Sequence, residues 1–582
     1  MSEQGWQVLH NVDVCVVGGG LAGMCAAISA ARHGAKVALM QDRPVLGGNG
    51  SSEIRMHVCG ADRHNTRKNM RETGLVDEMR MENLYRNPTS SYAIWDTVLY
   101  EHVRFEPNIT MLLNCSCLDA TANDGRVETI TGWQLTTYTR HIVRAKIFID
   151  CSGDGILAPL VGADFRMGRE GRSEYNEPIA PLEADEKTMG LTLMFKAIEH
   201  PTPQTFVPPK WAYKFTSCDD LPDRHTFQRG GFWWLELGGE QNSIRDTETI
   251  RDELLRLIYG VWDHIKNHCV DKDKAANLAL DWLQFLPGKR ESRRYIGDHV
   301  MTQHDIEAGG NFDDVVAYGG WSMDDHSTAG FWCKKRGETP TIFHPAPSPY
   351  GIAYRTLYSR NIENLMFAGR VHSATHSAMS STRVMATCAV MGQAAGTAAA
   401  MAIRLGITPR GVNQHMHELQ QTLLRDDCYL PGVKQEFSAL TTASRVETSQ
   451  GDGEVLRNGL NRPIGEQTNR WDCQVGDWAG YVFDSPRQVA QVSLIVDSAM
   501  DKDPAITQLS PTKRQTVPPD VMPRTFRIEM LRDGQWQEAA RVDENYQRLV
   551  RVPLGQTVSG VRFVLESTWG SQQSGLYAMY LE

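Results

Sequence analysis

Three groups of polar residues in this chain have types and spacings that suit chemistry. The densest is Arg290-Glu291-Ser292-Arg293-Arg294, with three guanidiniums in five residues, able to clamp an anionic or polyhydroxyl ligand. On a strand, Arg290, Ser292 and Arg294 would share one face, with Glu291 and Arg293 on the other. The second is Gly319-Gly320-Trp321-Ser322-Met323-Asp324-Asp325-His326, a loop ending in a histidine suited to act as general base or hydrogen-bond donor. The third is His372, His376 and Arg383, which follow Gly369-Arg370 and precede a long run of small residues. Two imidazoles and a guanidinium suit proton transfer. Each group also has a plainer reading, as surface ion pairs or packed histidines. Arg293, His326, His376 and Arg383 are the candidate catalytic residues.

The element that would position them lies near the N-terminus. An apolar run, Val12-Asp13-Val14-Cys15-Val16-Val17, leads into Gly18-Gly19-Gly20-Leu21-Ala22-Gly23 and then a small-residue helix pattern over 24–33. Lys36-Val37-Ala38-Leu39-Met40 reads as a second strand. A G-x-G-x-x-G between strand and helix is the context of a dinucleotide fingerprint. Gly18 makes the tight turn, Gly20 lets a pyrophosphate approach the backbone, and Gly23 packs helix on sheet. The helix N-terminus supplies amide donors and partial positive charge. The ribose-binding acid expected about twenty residues on falls at Gln41, with Asp42 next; a neutral amide can still hydrogen-bond a ribose hydroxyl. Arg43-Pro44-Val45-Leu46-Gly47-Gly48-Asn49 resembles the glycine doublet of the glutathione-reductase-type superfamily of FAD oxidoreductases.

That resemblance carries further expectations. The stretch from Gly50 to Gly60 runs past the flavin in the superfamily, so Ser52 and Arg55 are expected at the cofactor, and His57 or Cys59 either links to it or simply packs. Phe148-Ile149-Asp150-Cys151-Ser152-Gly153-Asp154 resembles the superfamily's second anchor, and Leu365-Met366-Phe367-Ala368-Gly369-Arg370 its third, followed by Met385. Many relatives carry Gly-Asp at the third anchor, whereas a subgroup labelled xanthan-lyase-like shares Gly-Arg and the strings around Arg293, His326 and His376. The resemblance spans residues 12–430 and implies bound FAD, with a substrate domain laid over the flavin. No second glycine fingerprint appears, which argues against a separate NAD(P)H domain.

Composition sets the outer bounds. A chain of 582 residues exceeds one core and suggests two to four domains. A net charge of −10 without a basic stripe argues against nucleic acid as a partner. The first ten residues lack a secretory pattern. The twelve cysteines are scattered, with no zinc spacing, so the expectation is reduced thiols, no metal and a cytoplasmic setting. Residues 384–403 have the length of a membrane span, but their Ala, Gly, Thr and Cys, with Gln393 inside, favour a buried helix and no membrane.

The expected fold is α/β: a Rossmann-like FAD-binding domain (1–180 and 346–435), an inserted α+β substrate domain (181–345) and a C-terminal all-β sandwich (436–582). Residues 66–105 read as helical, while 109–113, 127–138 and 141–143 read as a small antiparallel meander turning at Asn123-Asp124-Gly125. Within the insertion, 188–197 and 231–237 read as strands, 249–266 and 274–285 as amphipathic helices. The polar stretch 436–454 reads as a linker. Beyond it, 478–483, 489–496, 525–531 and 558–565 alternate as sandwich strands and loosely resemble discoidin-type modules, many of which bind sugars. Trp471, Trp478 and Trp569 suit either a carbohydrate platform or a core. The leading functional expectation is an FAD-dependent oxidoreductase transferring a hydride between flavin N5 and a small polar substrate, a carbohydrate or glycoside. Rivals are a flavin-containing lyase that cleaves a sugar linkage through transient oxidation, and a carbohydrate-binding protein with a structural flavin. The oligomeric state stays open.

Overall fold

The computed structural model describes residues 6–222, 232–507 and 515–582. Its organising element is a five-stranded parallel sheet in the spatial order Leu365–Phe367, Ile147–Asp150, Val14–Val17, Val37–Met40, Ile109–Leu112. The central strands are apolar at nearly every position because both faces are covered. Val14, Val16, Val37 and Leu39 join the core beneath the helices Leu21–Arg32 and Met385–Leu405. Cys15, Val17, Ala38 and Met40 point the other way, into a core shared with Val127, Ile130 and Val143. The helix Met385–Leu405 is apolar and long enough to cross a membrane, yet 94% of its apolar stretch is buried within the molecule.

Residues 109–112 belong to the parallel sheet, at its edge, and not to the meander as expected. The meander is Cys115–Asn123, Arg126–Gln134 and Thr139–Arg144, extended by Trp6–Asn11 in parallel. Its turn lies at Asp124 and Gly125, both at positive φ (47° and 73°), the backbone that a tight hairpin demands. The helical stretch is two helices, Leu75–Arg86 and Tyr92–Arg104, with residues 66–74 irregular.

In the insertion, Glu236–Leu237, Leu191–Thr192 and Gly288–Lys289 make one small sheet, and Phe195–Glu199 pairs with Leu278–Leu283. Of the strand read at 231–237, only Glu236–Leu237 forms, and Gly231 lies outside the described residues. The helix read at 249–266 is Thr247–Asp263, continued by a π turn at His264–His268. No helix forms at 274–285, where a short turn leads into the strand Leu278–Leu283. Asp281 is bulged out of the pairing, which steps from Lys196–Trp282 to Ala197–Leu280. Leu278, Leu280 and Leu283 therefore all reach the core, the bulge turning Leu283 to the face of Leu278 and Leu280. Residues 290–293 form no strand either, and Glu291 pairs directly with Arg294 instead of facing away from it.

The C-terminal region is a β-sandwich ordered Trp471–Gln474, Gln573–Leu581, Trp478–Val496, Leu549–Thr568, Pro523–Arg532, Gln535–Val542. The segments 478–483 and 489–496 are two halves of one strand whose register shifts between Val482 and Arg487. The stretch 436–454 is part of the sandwich, since it holds the helix Ala439–Thr442 and the strand Arg445–Thr448 paired to Trp478–Val496. Trp471 is buried in the core. Trp569 donates its indole N–H to the Asn545 carbonyl at 2.7 Å and meets Tyr85 edge-on. Trp569 is part-buried against the same core.

Candidate active site

The carboxyl ends of the parallel strands open onto a cleft of about 350 Å³, the ligand position of an open α/β sheet. The glycines of the first turn divide their tasks. Gly18 has φ 99°, and a Cβ there would collide with Cys151 backbone. A Cβ on Gly23 would overlap the Gly18 carbonyl oxygen, whereas one on Gly20 would meet only Gly48 Cα, at 3.9 Å. Gly23 therefore serves packing, and Gly20 leaves open space at the cleft. The glycine doublet is stitched to this turn, with the Gly47 amide donating to Gly19 O at 2.9 Å. Gln41 does not hold its amide out for a ligand: its Oε1 accepts from the Gly19 amide at 2.7 Å and its Nε2 donates to Val45 O at 3.1 Å. It braces the turn, and the exposed carboxylate beside it on the cleft is Asp42.

The second and third anchors meet across a charge cluster. Asp150, fully buried, accepts from the Ser152 and Leu157 amides (2.9 Å each) and from the Tyr295 hydroxyl (2.6 Å). This fixes the turn Ser152-Gly153-Asp154. Asp154 receives Lys289 Nζ at 2.6 Å and Arg370 Nη2 at 2.9 Å. Burial opposes its ionisation, yet Arg370 and Lys289 outweigh it and hold the carboxyl at about 2. Arg370 also donates to Ser292 Oγ at 2.9 Å, so Gly-Arg in place of Gly-Asp ties the third anchor to both the second and the insertion.

Gly18, Gly20, Gln41, Asp42, Arg43, Gly47, Gly48, Asn49, Ser152, Gly153, Asp154, Gly369, Arg370, Arg383 and Met385 all line this one cleft. Ser52 and Arg55 do not. The Ser52 amide donates to Asp96, and Arg55 stacks its guanidinium 4.2 Å from the Trp282 ring. Arg293 also lies off the cleft, donating to the Asp154 carbonyl and lying over Phe165 at 5.4 Å. The insertion contributes Thr192, Met194, Trp233, Gln284, Lys289 and Arg290. Sequence reading missed Lys289 and Trp233 as site residues; each is ordinary in type, and only the packing of the insertion brings it to the flavin side.

His326 and His376 sit behind the wall. His326 is buried, pairing through Nδ1 with Glu236 at 2.7 Å and through Nε2 with Asp324 at 3.4 Å. Burial disfavours its cation, but Glu236 and Asp324 raise its pKa above the ordinary value. Glu236 also meets Arg290 at 3.2 Å, and Asp324 meets Arg383 at 3.4 Å. The buried Glu236–His326–Asp324 chain thus links two arginines of the cleft. His376 pairs with Glu291 at 2.9 Å and Asp325 at 3.1 Å, and against burial these raise it to about 10. Neither histidine is among the cleft-lining residues, and each has a carboxylate at both ring nitrogens. His372, held down to about 3 by burial and then by Arg294, bonds Thr382.

The donor set fits an anionic dinucleotide. Arg43, Lys289, Arg290, Arg370 and Arg383 oppose only Asp42 and Asp154 along the cleft, an excess of positive charge suited to a pyrophosphate. Arg383 Nε is buried with no hydrogen-bond acceptor, an opening for a ligand oxygen. A parallel sheet, a glycine-bearing first turn and this lining define a dinucleotide-binding fold.

Comparison with known proteins gives the family. Residues 13–423 match the model of the FAD dependent oxidoreductase family, and the chain belongs to it, with FAD as the family's cofactor. It is 38% identical over 73 residues to a soluble pyridine nucleotide transhydrogenase of Chromohalobacter salexigens, covering 11% of this chain and 16% of that protein. A geranylgeranyl bacteriochlorophyll reductase-like protein of Thermoplasma acidophilum is similar over 72% of this chain and 86% of its own, at 13% identity and a TM-score of 0.32. The family 32 carbohydrate-binding module of Streptococcus pneumoniae EndoD is similar over 25% of this chain and 97% of its own, at 15% identity and a TM-score of 0.20.

Proposed function

We propose that this chain is an FAD-dependent oxidoreductase that moves a hydride between flavin N5 and a small polar substrate, a carbohydrate or glycoside. The supporting observation is the convergence of three glycine-bearing turns on one cleft whose far wall comes from the insertion. We take 1–180 and 346–435 as the cofactor-binding part, 181–345 as the substrate part and 436–582 as the sandwich. The Gly18–Gly20 turn, Gly47-Gly48, Asp42, Ser152–Asp154 and Gly369-Arg370 would hold the cofactor, and bound FAD supplies reversible two-electron hydride chemistry.

The chain's own side chains supply the rest. Arg290 and Arg383 are fixed from behind by Glu236 and Asp324, so they face the cleft without reorganising when an oxygen-bearing ligand arrives. Trp233 offers an aromatic wall of the kind that packs on the C–H face of a sugar. Because His326 and His376 are bound on both ring nitrogens, proton transfer falls to His57, the one imidazole among the described lining residues.

The experiment is anaerobic: the visible spectrum of the flavin-loaded protein is followed while sugars and glycosides are added. Bleaching by at least one compound is expected. Binding of sugars without bleaching by any of them would instead indicate a structural flavin. Cleavage of a glycosidic linkage in the absence of an electron acceptor would indicate net lyase chemistry.

A further inference from the structure

The insertion gathers three metal-ligating side chains that the cleft does not use. Cys218, His264 and Cys269 each offer a donor atom, all within 4.8 Å of one another. His264 Nε2 lies 3.5 Å from Cys218 Sγ, and the two sulfurs are 3.9 Å apart. Tetrahedral zinc, with Zn–S of about 2.3 Å and Zn–N of about 2.0–2.1 Å, requires S···S edges of about 3.8 Å and S···N edges of about 3.6 Å. The observed separations are close to those edges. Hydrogen bonds to Cys218 account for two of the pairs; a single metal ion would hold all three donors at once.

The surroundings are those of a ligand set. His264 Nδ1 lies 2.9 Å from the Phe215 carbonyl, which places the proton on Nδ1 and directs the Nε2 lone pair at the sulfurs, the outer-sphere arrangement of metal-bound histidines. The helix Thr247–Asp263 widens into the π turn His264–His268, with Cys269 directly after it, and such turns recur at functional sites. His264 and Cys269 are buried, whereas Cys218 is half-buried and gives access from solvent.

We propose that Cys218, His264 and Cys269 form a zinc site. Binding displaces one proton from each thiol. None of the three lines the flavin cleft, so the metal stands apart from the flavin. It ties residues 215–221 to the end of the long helix, at the edge of the core of Phe215, Leu221, Phe232 and Trp234. That core backs Trp233. Cys218 and His264 stand 46 residues apart, so no motif spacing betrays the set, which is why spacing alone leads to the expectation of no metal.

The test uses the full flavin-loaded chain, its metal content measured by mass spectrometry and its metal exchanged for cobalt. The expected result is about one zinc per chain, and in the cobalt form intense tetrahedral d–d absorption to the red of the flavin bands. Cys218→Ser, His264→Gln and Cys269→Ser should each lose the metal, while Cys117→Ser keeps it. Retained flavin colour in Cys218→Ser shows that the chain has folded; should the variants fail to fold, the cobalt spectrum of the unaltered chain decides. Zinc that survives all three substitutions overturns the site. So does a chain that takes up neither metal, or a Cys218–Cys269 disulfide in protein kept free of oxygen.

Discussion

His372 and His376 stand on either side of the helix N-cap Thr375 and are both buried, yet their surroundings push them to opposite charge states. Burial disfavours the imidazolium in each, and at His372 only Arg294 is added, so that ring is neutral. At His376, Glu291 and Asp325 flank the ring and overcome burial, raising it to about 10 from an ordinary 6.5. The folded value lies above the unfolded one, so the stabilisation is complete below about pH 6.5 and is lost as pH rises toward 10. Stability should therefore decline between those limits. His376→Gln should cost about 3–5 kcal/mol at neutral pH, because two buried carboxylates lose their partner, and should flatten the decline. Urea unfolding of both proteins across that range checks this, and parallel pH curves would refute it. The sequence showed these histidines between Arg370 and Arg383, which suggests proton transfer. It could not show that Glu291 and Asp325, from segments distant in the chain, fix the charge of one of them.

At the scale of elements, the strand–turn–helix unit was legible because its chemistry is local. Gly18, Gly20 and Gly23 lie within one turn, and each glycine answers a constraint set by its near neighbours. A matched pair of substitutions separates those constraints. Gly20 has φ −66° and ψ 174°, extended backbone that any residue adopts, and open space beside it. Gly20→Val should leave the fold and melting temperature nearly unchanged but abolish flavin retention, since the side chain occupies the cradle. Gly23→Ala gains about 1 kcal/mol of helix propensity but drives a methyl into the Gly18 carbonyl oxygen, an overpacking that costs about 1–3 kcal/mol or more. Flavin absorbance after gel filtration, together with thermal unfolding, distinguishes the two; equal flavin loss with equal destabilisation would contradict the division. Elements whose faces are set by distant partners were less legible. The strand Leu278–Leu283 is hidden because a bulge against Phe195–Glu199 breaks the alternation that would mark a strand. Residues 109–112 read as meander because their place at the sheet edge depends on Val37–Met40.

Across the whole molecule, the sandwich is fastened to the flavin-binding part by buried guanidiniums as well as by apolar contact. Arg71 donates to Ser498 and Ala499, and Arg462 donates to the Tyr318 hydroxyl at 2.9 Å while lying 4.1 Å from the Tyr429 ring. Arg548, from the sandwich, meets Asp427 at 2.7 Å and also bonds the Asn461 carbonyl. Burial pushes the Asp427 carboxyl up and Arg548 pulls it down; burial prevails, so the carboxylate relies on that one guanidinium more than an exposed acid would. Arg548→Met removes the partner but keeps an apolar side chain of similar length, and should destabilise the chain by about 3–5 kcal/mol. Adding Asp427→Asn should recover much of that loss, because the stranded charge is what makes the single substitution expensive. Denaturation followed by flavin fluorescence and by limited proteolysis of residues 425–470 reads both parts at once. In the single variant the proteolytic site should open before the flavin is released, and in the double variant the two events should move back together. If the double variant is no more stable than the single one, the ion pair does not couple the parts, and the apolar contact alone holds the sandwich in place.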